Sequence, residues 1–302
     1  MTTPLNPLNK QNIRRAFDRA AQRYDHAAAL QQEVGNRLLE RLDYIKLQPQ
    51  RILDAGAGTG YCTKILSKRY SDAQLIALDL APAMLRQARR SQGHWHRWFG
   101  RQHFICGDAE HLPLRDNSVD LMFSNLTVQW CPDQDRVAAE FQRILKPGGL
   151  LLFSTFGPDT LTEIRQSWAA VDDNLHVNTF TDMHDVGDAL MRAGFSDPVV
   201  DVEHLTLTYR DAKQPLRELK AMGANRVADG HRTSLTGKTR LQRYLAAYEQ
   251  FRRADDTFPV TYEVIYALAW GAAARTAHRP SDDGSVLVPL SNLMSRQTTS
   301  GE

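Results

Sequence analysis

The stretch Leu53-Asp54-Ala55-Gly56-Ala57-Gly58-Thr59-Gly60 decides the fold. It continues a short apolar run, Arg51-Ile52-Leu53, and the two together predict a buried strand ending in a glycine-rich turn. Glycines at alternate positions permit a tight turn and let a ligand approach the backbone closely. The helix predicted over about 61–70 turns its N-terminus towards that ligand, where partial negative charge is stabilised. A dinucleotide-binding turn begins in the same way but needs a third glycine at position 61, where Tyr61 stands. No Gly-Lys-Ser or Gly-Lys-Thr follows, which excludes a triphosphate-binding loop. What remains is Gly-x-Gly-x-Gly, with Asp54 two residues before the first glycine.

Outward from this turn, strands and helices alternate. Apolar runs at 74–79, 103–106, 119–124 and 149–156 read as further strands, with helices between them over about 61–70, 82–92 and 133–145. Pro82 takes its favoured first-turn position, and Lys146-Pro147-Gly148-Gly149 stops the last of these helices. Helices over about 158–171 and 181–193 follow, with Gly194 as a helix-ending glycine. Strands at 199–209 and 260–270 bring the number to seven. On the N-terminal side, Ile13, Ala16, Phe17, Ala20, Ala21 and Tyr24 form the apolar stripe of one helix over 9–25, and a second runs from about 30 to 46 before Pro49. The expected fold is α/β, with a doubly wound, mostly parallel seven-stranded sheet. A single domain spans 1–276: a helical cap over about 9–46, a core over about 50–209, a basic helical insertion over about 210–255 and a last strand over about 259–271. The insertion is expected to act as a lid, and the tail over 277–302, rich in Pro, Ser, Asp and Gly, is expected to lack order.

Composition narrows the classes. The 302 residues are 42% hydrophobic and 24% charged, enough for a sizeable core. No apolar run approaches the ~20 residues of a membrane span, and the start, MTTPLNPLNK, has no secretory h-region. Three cysteines, Cys62, Cys106 and Cys131, form no CxxC pair, so a reducing, cytoplasmic setting is expected. Cys106 is expected on a buried strand and Cys62 beside the glycine turn, both as packing residues. His94 and His96 have no acid nearby, so no metal site is expected. His184 stands between Asp182 and Asp185, where a helix-start contact is as good a reading as a site.

The glycine turn with its preceding acid resembles motif I of the Rossmann-like class I S-adenosylmethionine-dependent methyltransferases. That resemblance implies S-adenosylmethionine as cofactor, with Asp54 and Gly56 near its methionine end and Gly58 and Gly60 in the same cofactor-binding turn. It implies that Asp79, with Leu80 beside it at the end of the second strand, holds the ribose hydroxyls. Two acceptor oxygens on one carboxylate suit a vicinal diol. Asp108 and Ala109, after the third strand, would meet the adenine, and Asn125 and Leu126, after the fourth, the methionine.

Segments outside the core are more specific. Phe17-Asp18-Arg19-Ala20-Ala21-Gln22-Arg23-Tyr24-Asp25, Phe156-Gly157-Pro158-Asp159-Thr160-Leu161 and Phe180-Thr181-Asp182-Met183-His184-Asp185 occur in order. With Pro198-Val199-Val200-Asp201 and Thr206-Leu207-Thr208-Tyr209 they resemble the malonyl-acyl-carrier-protein O-methyltransferases of biotin synthesis. The resemblance implies methylation of the free carboxylate of a malonyl thioester, with an acyl carrier protein bearing malonyl-phosphopantetheine as partner. A carboxylate is already a nucleophile, so alignment would supply most of the rate, and orientation alone can contribute ~7–11 kcal/mol. Tyr24 is the first candidate beside the transferring methyl, with core packing as its alternative. Arg232 is the candidate grip on the carboxylate, with Arg226 behind it. Gln129 and Trp130 would line the pocket. Other readings are a methyltransferase for a small free acid or quinone precursor, and a non-catalytic cofactor-binding protein.

Net charge is +2, from 37 Lys and Arg against 35 Asp and Glu, but it is uneven. Residues 204–253 carry +7 and residues 84–101 carry +5, leaving −10 elsewhere. Lys213, Arg217 and Lys220 fall on one face of a predicted helix, while Leu241, Tyr244, Leu245, Tyr248 and Phe251 form the apolar face of the next. A basic lid suits an acidic carrier protein. The apolar, tyrosine-rich side of the segment argues against nucleic acid, and the chain is expected to act as a monomer away from membranes.

Overall fold

The computed structural model describes residues 9–91, 101–223 and 237–272. β1 (Arg51–Ala55), β2 (Gln74–Asp79), β3 (Gln102–Cys106), β4 (Val119–Asn125), β5 (Leu145–Phe156), β6 (Ser196–Tyr209) and β7 (Phe258–Trp270) form one sheet in the order β3-β2-β1-β4-β5-β7-β6. Neighbours from β3 to β5 pair in parallel, and β7 runs antiparallel to both β5 and β6. Strands β1 and β4 are buried along most of their length, as central parallel strands covered on two faces must be.

The helices take the two faces. α1 (Lys10–Ala20), α2 (Tyr24–Ala27), α3 (Ala29–Glu40), α4 (Tyr61–Arg69) and α5 (Pro82–Arg90) belong to the first half. α6 (Gln134–Ile144), α7 (Thr162–Ala169), α8 (Met183–Arg192), α9 (Gln214–Ala221) and α10 (Lys238–Tyr248) belong to the second. One core joins Leu38 and Leu42 to Phe123, Trp168, Tyr244 and Tyr266, and another joins Leu53 and Met122 to Phe141 and Ile265. α9 and α10 form the helical part of the predicted insertion. Tyr248 donates its hydroxyl to Pro259 O (2.8 Å), and Tyr209 donates to Glu218 Oε2 (2.8 Å), which tie these helices to β7 and β6. Leu241, Leu245 and Phe251 pack against the first core around buried Tyr244 and Tyr248.

Several expectations change. The single helix over 9–25 is two: α1 stops at Ala20, a turn follows, and Tyr24 opens α2. Ala20 and Ala21 pack with Ala81 and Met84, and no glycine or proline announces the break. Tyr24 is therefore not on the stripe of α1. The helix from 30 ends at Glu40 and tightens into a 3₁₀ turn over Arg41–Tyr44. β5 begins at Leu145, which pairs with Val119, and the register then shifts before Leu121 meets Leu150. Cys106 is exposed rather than buried, because β3 is the sheet's edge. His94, His96 and the tail over 277–302 lie outside the described residues.

Candidate functional site

Three loops converge where the central parallel strands end, the usual ligand position in such sheets. Gly56 has a left-handed backbone (φ 78°), and a Cβ there would lie 1.9 Å from Thr127 Oγ1. Its N–H and that of Ala57 both donate to Leu78 O (2.7 and 2.9 Å), which holds the turn against β2. Gly60 faces away from the turn's open side. It caps α4, and a Cβ there would crowd Ala88 at 2.9 Å.

Asp54 is buried and accepts a hydrogen bond from Thr63 Oγ1 (2.5 Å). Burial pushes its carboxyl up to about 7, the charge of Asp79 adds to this, and the Thr63 hydroxyl opposes it. Asp79 accepts the N–H of Gly58 at Oδ2 (2.9 Å) and of Ala81 at Oδ1 (2.7 Å). Burial pushes this carboxyl up to about 6, against those two N–H donors. Each Asp79 oxygen keeps a second acceptor direction. Asp108 accepts the Glu110 N–H (3.0 Å), and Lys10 pairs with both Asp108 and Glu110. Lys10 opens α1, so this pairing fixes the N-terminal helix across the strand ends.

Asn125 is held from both sides. Its Nδ2 donates to Gln31 O (2.8 Å) and its Oδ1 accepts from Ser154 Oγ (2.8 Å). Leu126 next to it is left-handed (φ 48°), an uncommon conformation for a branched side chain that tends to mark functional sites. Its N–H donates to Ser154 O (3.1 Å).

Two cavities meet here. The first, about 690 Å³ out to its mouth, is lined by Gly56, Gly58, Asp79, Leu80, Asp108 and Ala109. Asn125 and Leu126 close its inner end, and α1 covers it through Lys10, Ile13 and Phe17. A recess beside it reaches Asp54 and Thr59, and Thr59 Oγ1 donates to Asp25 Oδ1 (2.5 Å), tying α2 to the glycine turn. The second cavity, about 970 Å³ on the same measure, has an apolar wall that includes Phe156, Trp168, Phe180 and Tyr262. Leu216, Leu219 and Met222 from α9 and the residue after it complete that wall. Phe17, Tyr24, Leu126 and Trp130 line both cavities.

Tyr24 is half-buried at this junction. Burial, with the charges of Asp79 and Asp25, pushes its phenol far up, so it stays a neutral O–H donor. Phe17 stands edge-on to both Tyr24 (6.4 Å) and Trp130 (5.3 Å) and fixes their spacing. Gln129 lines the second cavity, with its Nε2 donating to Leu126 O (2.7 Å).

The structure thus brings Tyr24, Asp54, Gly56, Gly58, Asp79, Leu80, Asp108, Ala109, Asn125, Leu126, Gln129 and Trp130 around one connected space. Gly60 supports it from behind. Lys213, Arg217 and Lys220 are exposed on the outer side of α9. Arg226 and Arg232 lie outside the described residues. His184 makes a helix-start contact, with Asp182 Oδ1 meeting both its backbone N–H (2.8 Å) and its ring Nδ1 (2.6 Å). Burial pushes the Cys62 thiol well up and that of Cys131 up to about 12, which keeps both protonated packing groups.

Sequence reasoning missed Lys10, Gln31 and His176. Gln31 lines the second cavity, and its Oε1 is buried without a partner. The His176 ring stacks on Trp168 at 4.0 Å, with its Nε2 beside Asp172 Oδ1 (2.9 Å). Although burial disfavours its charge, hydrogen bonds from His176 and Asn174 hold the Asp172 carboxyl down at about 2. None of the three sits in a distinctive local pattern. Only the fold carries them to the cavities.

Comparison with known proteins adds to this geometry. A family described as "Methyltransferase domain" matches residues 53–153. A "Malonyl-[acyl-carrier protein] O-methyltransferase" of Methylovorus sp. is 51% identical over 281 residues, which are 92% of this chain and 94% of that protein. Proteins of the same name from Gallionella capsiferriformans and Coxiella burnetii (there numbered 1) are 48% and 38% identical, covering 94% and 96% of this chain and 97% of each relative. Among solved structures, the YcgJ protein from Bacillus subtilis superposes with a TM-score of 0.55 at 17% identity. It covers 79% of this chain and 99% of its own, a likeness of fold.

Proposed function

The chain belongs to the malonyl-[acyl-carrier protein] O-methyltransferase family, and we infer that it esterifies the free carboxylate of a malonyl group presented as a thioester on acyl carrier protein. The observation that carries this reading is the wall shared by the two cavities, which sets a donor site and an acyl site in contact. S-Adenosylmethionine, when bound, would supply a methyl group activated on a sulfonium sulfur for transfer to a carboxylate oxygen. The first cavity fits that cofactor. Asp79 lines it with acceptor capacity that would suit a ribose diol, and the Gly56 cradle has no space for a side chain. Asp54 lies beside the recess for the methionine end.

The chain's own residues then have three tasks. Tyr24 offers a neutral O–H to the substrate carboxylate at the junction, which orients one oxygen without adding a formal countercharge. A fully paired arginine there would quieten the nucleophile. The apolar wall of Phe156, Trp168, Phe180 and Tyr262 removes water from the carboxylate and so raises its reactivity. Gln31 and Gln129 line the same cavity, where their amides can meet polar atoms of the thioester arm. No general base is required, because the acceptor oxygen is ionised at neutral pH.

The product, an apolar methyl ester in place of a charge, suits chain extension that expects an apolar end, and the reading assigns the reaction to an early stage of biotin synthesis. Three unpaired thiols, Cys62, Cys106 and Cys131, are consistent with a cytoplasmic setting. The test is incubation of the protein with methyl-labelled cofactor and purified malonyl carrier protein. The expected product is a carrier heavier by one methylene, with the label released by mild esterolysis. Cofactor binding without transfer to any malonyl thioester would overturn the reading in favour of a non-catalytic or small-acid role.

A further inference from the structure

α1 and α9 each show two different sides. Phe17 of α1 and Leu216 and Leu219 of α9 face the acyl cavity. On the outer side the same helices, with the residues just beyond each, enclose a separate groove lined by Ala16, Arg19, Ala20, Arg23, Arg217, Lys220, Ala221 and Gly223. Its floor is small: three alanines and a glycine. Among the described residues its charged lining consists of four cations and no carboxylate. Gly223 makes the groove possible. It is left-handed (φ 76°), and a Cβ there would press on Ala16 O at 3.0 Å, so the end of α9 lies directly against α1.

The cations are largely uncommitted. Arg217 pairs with Asp211 (2.9 Å), and Arg19 Nε donates to Arg15 O (3.0 Å); the rest of each guanidinium fork has no partner among the described residues. Arg23 and Lys220 make no ion pair among the described residues. Like charges held together on a small-residue floor, with no acid between them among the described residues, form an anion site. Guanidinium forks match phosphate and carboxylate oxygens.

We propose that this groove binds the phosphodiester at the base of the phosphopantetheine arm, while the arm passes over the α1–α9 seam into the acyl cavity. The proposal rests on the malonyl-thioester reading and adds a subsite to it. An arm of this kind has one apolar or thioester end and one anionic end, and the two helices present a matching apolar side and cationic side. A phosphate is preferred over carrier carboxylates because the two helices that hold the groove also wall the acyl cavity, so the arm that carries the acyl group must run beside it.

Two measurements test it with the full-length protein. The first is calorimetric binding of phosphopantetheine and of pantetheine, both without the malonyl group, which does not depend on methyl transfer. The wild type should favour the phosphorylated compound by about tenfold or more, and R19Q/R23Q should lose most of that preference. R19K/R23K, which keeps the charges, should recover part of it, and circular dichroism of each variant confirms the fold. The second is the ratio of kcat/KM for malonyl-phosphopantetheine to that for malonyl-pantetheine, which should fall by the same factor. An unchanged preference in R19Q/R23Q overturns the proposal. So does a loss seen only with intact carrier protein, which would assign the groove to carrier carboxylates. If the wild type methylates no malonyl thioester, the functional reading fails, while the binding measurement still decides the groove.

Discussion

Cofactor affinity should fall steeply as pH drops from 7 to 5, and Asp79 is the reason. Its two oxygens already accept N–H bonds from Gly58 and Ala81, and the remaining acceptor directions are those offered to the ribose hydroxyls. Protonation removes one of these and turns the oxygen into a donor. With its carboxyl pushed up to about 6, Asp79 is about nine-tenths ionised at pH 7 and about one-tenth at pH 5. If only the ionised form binds, the dissociation constant rises about tenfold over that interval through Asp79 alone. Asp54, pushed up to about 7, deepens the loss. The sign for folding is opposite. Both carboxyls hold protons more readily in the folded chain than in the unfolded one, so they favour the empty fold increasingly as pH falls from about 7 towards 4. Weaker binding at pH 5 is therefore not these two groups unfolding the protein. The assay is calorimetric titration with the demethylated cofactor at half-unit pH steps, in two buffers of different ionisation enthalpy to count released protons. D79N should bind roughly 10–100-fold more weakly at pH 7 and show a flatter pH profile. A wild-type dissociation constant constant within about twofold from pH 7 to 5, with no proton release, would refute the reasoning.

Two further substitutions probe the junction and the turn. Tyr24→Phe removes one hydrogen bond to a charged acceptor, ~1.5–3 kcal/mol, so kcat/KM for the malonyl substrate should fall ~10–100-fold. Its cofactor dissociation constant should change by less than about threefold, since the phenol ring stays; equal losses in both would place Tyr24 in cofactor binding instead. Gly56→Ala puts a Cβ 1.9 Å from Thr127 Oγ1 at a left-handed position. It should abolish measurable cofactor binding and lower the melting temperature, whereas the double variant with Thr127→Gly should regain part of the stability but not the affinity.

What could be read from the chain beforehand was whatever lies close together along it. The glycine turn and the acids Asp54, Asp79 and Asp108 sit at ends of successive strands, so locating the strands located them. The break between α1 and α2 was hidden because Ala20, Ala21 and Tyr24 keep helical spacing across it. Packing of those alanines on Ala81 and Met84, rather than a glycine or proline, ends the helix. The acyl cavity was legible only in part. Its wall is assembled from α7, β5, β7, α9 and the loops around 176–180, and no local pattern couples Trp168 to Tyr262 or Leu216. Lys213, Arg217 and Lys220 were visible as one basic face. Arg19 and Arg23, across the groove from Arg217 and Lys220, were read only as part of an amphipathic cap, because their neighbourhood exists in three dimensions alone.

The wall common to Phe17, Tyr24, Leu126 and Trp130 also has a temporal meaning. Whatever fills the inner cavity becomes part of the floor on which the acyl group rests. α1, pinned by Lys10 to Asp108 and Glu110, covers the inner cavity, and the proposed path of the acyl arm crosses its flank. On the malonyl-thioester reading this predicts a compulsory order, with the methyl donor entering first and leaving last in its spent form, which product-inhibition kinetics would check. In steady-state terms the spent donor then competes with fresh donor alone, and adding more carrier substrate cannot overcome it. The ratio of spent to fresh donor in the cell would thereby act as a throttle on the reaction, set by the position of four side chains.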